Sequence, residues 1–158
     1  MFSGVLERDG KKKALEFAQE IMSFMAAILL TVTIMAIFFM PQIVGLIAPG
    51  FSDAPNKFNL AVDFAELTFI YLPLISLVAL LGGILNSLGK FAAMASAPIL
   101  LNLFLISSLA IFADILETPG HGLAVGVAVG GLAQLLWLIE ACRRAEALPR
   151  LIWPRWTP

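Results

Sequence analysis

Three amide side chains stand out in a chain that is otherwise poor in polar groups. Asn86, Asn102 and Gln134 each lie within a long apolar stretch. If these stretches cross a membrane, hydrocarbon cannot solvate the amides, so each should face protein or a water-filled cavity. The pattern leaves two interpretations open: the amides join neighbouring helices, or they line a substrate pathway.

Small residues and prolines recur at helical spacing around these amides. Small residues let membrane helices approach closely, and prolines kink helices or leave irregular backbone beside a cavity. The stripe on the second apolar stretch should therefore face protein or water, with Leu85 facing elsewhere. The stripe comprises Pro73, Ser76, Ala79, Gly83, Asn86 and Lys90. The residues predicted to pack or kink helices are Pro73, Gly83, Pro98, Gly126 and Gly130.

The residues that usually carry catalysis or bind metals form no recognisable pattern. The single cysteine and the single histidine, Cys142 and His121, lie in no metal-ligand spacing, and no phosphate-binding glycine loop or nucleophile motif occurs. Five of the eleven carboxylates fall at the ends of the apolar stretches, where water or lipid headgroups can solvate them: Asp63, Glu66, Asp114, Glu117 and Glu140. We therefore expect no enzyme, no catalytic residue, no metal, no cofactor and no nucleic-acid partner.

The apolar stretches predict an all-α polytopic membrane bundle of four spans. Of the 158 residues, 60% are hydrophobic and 13% are charged, and the mean hydropathy is +0.95. A soluble domain has about 25% charged residues, and a spanning helix needs about 20 apolar residues. One membrane domain over 1–158 is expected, with cytoplasmic segments at 1–20 and 142–158 and a surface loop at 48–63. The predicted spans are 21–46, 64–88, 92–115 and 123–141.

The basic residues predict the orientation of these spans. Of the ten Lys and Arg residues, nine lie before the first span, between the second and third, or after the fourth, and only Lys57 lies on the opposite side. Basic residues near span ends stay in the cytoplasm. Both ends are therefore expected on the cytoplasmic side, which requires an even number of spans.

Several segments, in order, resemble one transporter family. They are LIAPGF, FIYLPLISLVALLGGILNSLGKFAAMASAPILLNLFLI and LAVGVAVGGLAQLLWLIEACRR. They are similar to the MurJ/MviN lipid II flippases, within the multidrug/oligosaccharidyl-lipid/polysaccharide exporter superfamily. The residues that carry the resemblance are Pro73, the Gly83–Asn86–Phe91 spacing, Pro98 with Leu101 and Asn102, and Gly130–Gly131 followed by Gln134.

The resemblance implies a partial flippase of the bacterial inner membrane. The chain would match the third to sixth spans of the first of two lobes, and both of its ends look like interior positions of the family. By resemblance, alternating access would move lipid II outward, with membrane lipids and the remaining lobe as partners. The arginines expected to hold pyrophosphate would lie outside this chain, so only Asn86, Asn102 and Gln134 remain as pathway candidates.

Two alternatives to a lipid II flippase stay open at the level of sequence. The chain could belong to another polysaccharide-lipid or drug exporter of the same superfamily, whose missing spans would form a different cavity. It could also be a small membrane subunit that assembles with partners and transports nothing itself.

Overall fold

A computed structural model describes residues 2–51, 54–112, 115 and 118–150 as a helical bundle. Four helical stretches are long and apolar enough to cross a membrane, which confirms the predicted class. The helices, in chain order, are α1 (Phe2–Phe38), α2 (Met40–Ile47), α3 (Pro55–Phe69), α4 (Tyr71–Ser87), α5 (Ala92–Phe112) and α6 (Pro119–Arg144), with a short 3-10 turn at Pro49–Phe51.

Two prolines start helices where the sequence had suggested loops. The predicted surface loop at 48–63 is wrong over residues 55–63, because α3 already begins at Pro55. The turn expected between the third and fourth spans is helical from Pro119, where α6 begins. The physical reason is the same in both places. Backbone N–H groups in the first turn of a helix have no partner within the helix, so proline loses no hydrogen bond there, and its fixed φ is already helical.

The first predicted span is interrupted near its end. Helix α1 ends at Phe38, and α2 resumes at Met40 with Pro41 in its first turn. Proline has no N–H for the carbonyl four residues earlier and its ring crowds that carbonyl, so a continuous helix is disfavoured there. At the other end of α1, Gly10 has φ of 82° and ψ of 171°, and breaks the helix between residues 2–9 and 11–38.

Helix α6 is the central element of the bundle. It packs along α5 on one side and against α4 and α3 on the other, while α1 packs on α4. The main core lies near one end of these helices, around Val78, Leu81, Leu85, Leu138 and Cys142. A second, smaller core joins α2 to α3 through Met40, Val44 and Val62.

The ends of α4 and α6 are closed by the same backbone motif. After α4, the N–H of Lys90 donates to the Leu85 carbonyl at 2.9 Å, and Gly89 has a left-handed φ of 73°. After α6, the N–H of Ala147 donates to the Cys142 carbonyl at 2.9 Å, with Glu146 at φ 51°. Both are Schellman caps, which satisfy the last carbonyls of a helix.

Outside these cores, much of the apolar surface is uncovered. Large side chains point away from the bundle on α1 and α5, among them Leu30, Ile34, Phe38, Ile99 and Ile106. Such a surface suits lipid tails or further transmembrane helices better than water.

Candidate functional site

Gln134 lies at a junction of three helices and not on an open surface. Its side chain on α6 is 2% exposed. Its Nε2 donates to the Ala97 carbonyl of α5 at 2.7 Å, and its Oε1 accepts from the Tyr71 hydroxyl of α4 at 3.2 Å. Both ends of the amide therefore have protein partners, which is what burial of a polar group in an apolar bundle requires.

The Tyr71 ring reaches this amide by lying against a glycine. A Cβ placed on Gly131 would come within 2.5 Å of Tyr71 Cδ2 and 3.2 Å of Leu74 Cδ1. The missing side chain at 131 thus makes the space that the ring occupies. Three residues later on the same face of α6, Gln134 meets the hydroxyl of that ring.

One turn further along α6, Trp137 makes a second polar contact with α5. The indole Nε1 donates to Ser96 Oγ at 2.9 Å and lies 3.2 Å from the Ala93 carbonyl. Ser96 Oγ in turn donates to that same carbonyl at 2.9 Å. Together, Tyr71, Gln134, Trp137, Ser96 and the Ala97 carbonyl form what we call the polar junction.

Three glycines of α6, Gly122, Gly126 and Gly130, lie on the face that meets α5. A Cβ on Gly126 would approach Ser108 Cβ to 2.9 Å, and one on Gly130 would approach Leu101 Cδ1 to 2.9 Å. The Ser108 hydroxyl also donates to the Gly122 carbonyl. These short approaches place Gly126 and Gly130 in a close helix–helix contact of the kind that small residues permit.

Asn86 and Asn102 lie on the outside of the described bundle. Both side chains are exposed, as are Ala79 and Gly83 of the small stripe. A Cβ on Gly83 would have no described neighbour within 4 Å, so a side chain there would enter open space. Leu85, predicted to face elsewhere than this stripe, is 1% exposed and packs in the main core.

The two predicted kink prolines occupy different settings. Pro73 lies in the first turn of α4, three residues after the break at Ile70 that separates α4 from α3. Pro98 lies inside α5, which continues from Ala92 to Phe112. Pro98 removes one backbone hydrogen bond inside a continuous helix, whereas Pro73 lies in a first turn, just after the point where α3 and α4 divide.

His121 and the carboxylates of Asp63 and Glu66 lie at the end of the bundle opposite the main core. They line a shallow groove with Ile37, Leu67 and Ile70. The His121 Nδ1 is 3.0 Å from Thr118 Oγ1, and the ring meets Phe64 edge-on at 4.8 Å. Among the described residues, no three His, Cys, Asp or Glu side chains group closely enough to hold a metal ion. The predicted carboxylates Asp114 and Glu117 lie outside the described residues.

Sequence reasoning missed three members of the polar junction. Tyr71, Ser96 and Trp137 were not among the predicted site residues, although each carries a donor inside an apolar stretch. Their hydroxyl and indole groups were a usable signal, since lipid tails offer such groups no hydrogen-bond partner.

Comparison with known proteins decides the family. Residues 2–157 match the family described as lipid II flippase MurJ. The chain belongs to the MurJ family. A probable lipid II flippase MurJ of Rhizobium meliloti (strain 1021) is 40% identical over 162 residues, covering 100% of this chain and 30% of that protein. A probable lipid II flippase MurJ of Rickettsia prowazekii (strain Madrid E) is 35% identical over 136 residues, covering 86% of this chain and 27% of that protein.

The MurJ relatives are much longer than the chain. A lipid II flippase MurJ of Burkholderia cenocepacia is 34% identical over 107 residues, covering 68% of the chain and 21% of that relative. Since the chain spans about 30% of the length of the relatives it matches throughout, it corresponds to one part of a MurJ protein. The four apolar helices make it a multi-pass membrane protein.

Proposed function

We propose that this chain supplies four helices of one lobe of a lipid II flippase in the bacterial inner membrane. In the intact transporter, alternating access would carry the lipid-linked peptidoglycan precursor from the cytoplasmic to the outer leaflet. The observation that carries this proposal is the family match over residues 2–157. The relatives' greater length supports a remaining lobe as the chain's main partner, alongside membrane lipids.

The basic residues support both ends of the bundle lying on the cytoplasmic side. Lys11 Nζ donates to the Ala145 carbonyl at 3.1 Å, so the start of α1 and the end of α6 meet at one end of the molecule. Most of the basic residues that the structure describes lie at this end, and Lys57 does not. Under the positive-inside rule, this end would face the cytoplasm.

Cysteine labelling tests that orientation. In a Cys142→Ser background, a probe cysteine at the exposed Asn56 should react with an impermeant maleimide from outside, and one at Lys12 or Glu146 should react only after lysis. Reaction of the Lys12 probe in intact cells would contradict the proposed orientation.

The exposed amide faces of α4 and α5 support a role for Asn86 and Asn102 beside the transport path or the other lobe. Both side chains would be poorly solvated by lipid tails. Within the described residues, the basic side chains lie at the ends of the spans, so they offer a pyrophosphate group no cation at mid-membrane. We therefore propose that the rest of the transporter supplies those cations. Gln134 is not proposed for the path, since its amide is already bonded inside the bundle.

A chimera provides the direct test of function. The matching third of the Rhizobium meliloti relative would be replaced by residues 2–157 of this chain, and expressed in a bacterium depleted of its own flippase. Growth and outward exposure of lipid II should be restored. A correctly inserted chimera that restores neither would refute the proposal.

Two controls sharpen this experiment. A polypeptide of residues 1–158 should not restore growth, because alternating access needs a second bundle opposite the first; rescue by it would favour an autonomous transporter. Within the chimera, Asn86→Leu and Asn102→Leu should reduce lipid II exposure, whereas Leu103→Ile, on the exposed surface beside Asn102, should not.

A further inference from the structure

Helix α5 is held to its neighbours in two different ways on either side of Pro98. Before the proline, α6 holds it by hydrogen bonds, from Gln134 to the Ala97 carbonyl and from Trp137 to Ser96. After the proline, α6 holds it mainly by close packing, with Gly126 and Gly130 against Ser108 and Leu101, and the Ser108 hydroxyl also donates to the Gly122 carbonyl. The hydrogen bonds that α6 side chains donate to α5 therefore lie before Pro98, the residue inside α5 that weakens the helix.

Pro98 makes the two segments of α5 partly independent. It has no N–H to donate to the carbonyl of Met94, and its ring crowds that carbonyl. Proline sites are where membrane helices bend most readily. The first two turns of α5 would thus be free to tilt unless another element holds them.

The polar junction supplies that restraint from two helices. Gln134 and Trp137 are three residues apart on one face of α6, and both reach carbonyl or hydroxyl groups within residues 93–97. Tyr71 fixes the other end of the Gln134 amide to α4. At the same level, a Cβ on Gly82 of α4 would overlap Met94 Sδ at 2.3 Å, which shows how closely α4 meets this segment.

We propose that Gln134 and Trp137 are positioning residues that clamp the segment of α5 before Pro98 onto α6 and α4. The clamp makes α4, α5 and α6 move as one body and suppresses bending at Pro98. Its importance for transport rests on the proposed flippase function, in which one bundle rocks against another. The clamp itself is a property of this chain alone.

Hydrogen exchange on the whole chain in detergent micelles tests the clamp without substrate. The variant Gln134→Met keeps a side chain of similar length and removes both hydrogen bonds. Amides within residues 95–100 should exchange about three- to tenfold faster, since single interhelical bonds in membranes are of that strength. Amides within residues 103–108, held by the glycine contact, should change less than twofold.

Two further variants separate a clamp from general loss of stability. Leu138→Ala removes a fully buried side chain one turn from Gln134 and should speed exchange in both segments alike. Trp137→Phe should reproduce the local effect of Gln134→Met while keeping most of the apolar contact. It replaces the glutamine variant in this test if that variant does not fold. Equal changes in the two segments for both junction variants, or no change in either, would overturn the clamp.

A transport assay then connects the clamp to function. In the chimera, Gln134→Met should lower lipid II exposure while the amount of protein in the membrane stays constant. If the parent chimera is inactive, the flippase proposal fails and the exchange result still decides the clamp. If the parent is active and Gln134→Met is as active despite local opening, the role of the clamp in transport is refuted.

Discussion

Gly131→Ala should destabilise the bundle by displacing one aromatic ring. The added Cβ would lie 2.5 Å from Tyr71 Cδ2, 3.0 Å from Tyr71 Cε2 and 3.2 Å from Leu74 Cδ1. The first two contacts are with a rigid ring that cannot fold away as a flexible side chain would. The Tyr71 hydroxyl is already 3.2 Å from Gln134 Oε1, near the limit of a hydrogen bond, so moving the ring should break that bond.

Three terms set the magnitude of this effect. Forcing an extra carbon into a packed site costs about 1–3 kcal/mol. Loss of one interhelical hydrogen bond in a membrane costs about 0.6–1.7 kcal/mol. Alanine gains up to about 1 kcal/mol over glycine in helix propensity. The net expectation is a loss of about 1–3 kcal/mol in the free energy of unfolding.

Gly83→Ala is the matched control for this substitution. Gly83 also lies inside a helix, but a Cβ there would meet nothing within 4 Å. Gly83→Ala should keep alanine's gain in helix propensity without a clash. It should therefore raise the free energy of unfolding by between zero and about 1 kcal/mol. A second control, Tyr71→Leu in the Gly131→Ala background, removes the ring and should relieve the clash.

Unfolding of the 158-residue chain by dodecyl sulfate in mixed micelles, followed by circular dichroism, measures these differences. Gly131→Ala should unfold at a lower detergent fraction than the wild type, and Gly83→Ala at the same or a higher one. The double variant should be less destabilised than the sum of its single changes. If both glycine variants unfold alike, or if the Tyr71 and Gly131 substitutions are additive, the reasoning from the ring contact is wrong.

The same titration checks three smaller changes. Tyr71→Phe removes one hydrogen bond and should cost about 0.6–1.7 kcal/mol; no loss would show that the 3.2 Å contact contributes nothing. Gly89→Ala should cost about 1 kcal/mol, because φ at 89 is 73° and side chains disfavour that region; an unchanged midpoint would argue against the cap after α4. Glu146→Gly should gain about 0.5–1 kcal/mol for the converse reason, with φ of 51° there; a loss would mean that the glutamate side chain stabilises the end of α6.

The existence of the spans could be predicted from the sequence, whereas several of their ends could not. Twenty or more apolar residues have few alternatives to a helix in a membrane, so the composition was sufficient. Pro55 and Pro119 favour loops on sequence alone, because proline more often ends a helix than continues one. Each instead starts a helix. Downstream of Pro55, the residues that pack on α2, including Phe58, Val62 and Ala65, follow a helical period that could have revealed α3.

Which face of a span is buried was much harder to predict. In water, the apolar face of a helix is the buried one, but in lipid every face is apolar and that signal disappears. On α4 the large residues Val78, Leu81 and Leu85 form the core, while Gly83 and Asn86 face outward. Spacing grouped Ala79, Gly83 and Asn86, which are all exposed, with Lys90, which lies beyond the end of α4. It could not assign that stripe to the inside or the outside of these four helices.

The two neighbouring glycines Gly130 and Gly131 show why α6 can occupy the centre of the bundle. Consecutive residues on a helix point about 100° apart, so the two positions open onto different neighbours. Gly130 admits Leu101 of α5, and Gly131 admits Tyr71 of α4. Gln134 follows both and bonds to the same two helices. A polar group at that place stabilises the bundle only because the two glycines first bring its partners within reach. The Gly-Gly-x-x-Gln pattern therefore defines a three-helix contact, and the loss of either glycine should weaken the hydrogen bond on its own side.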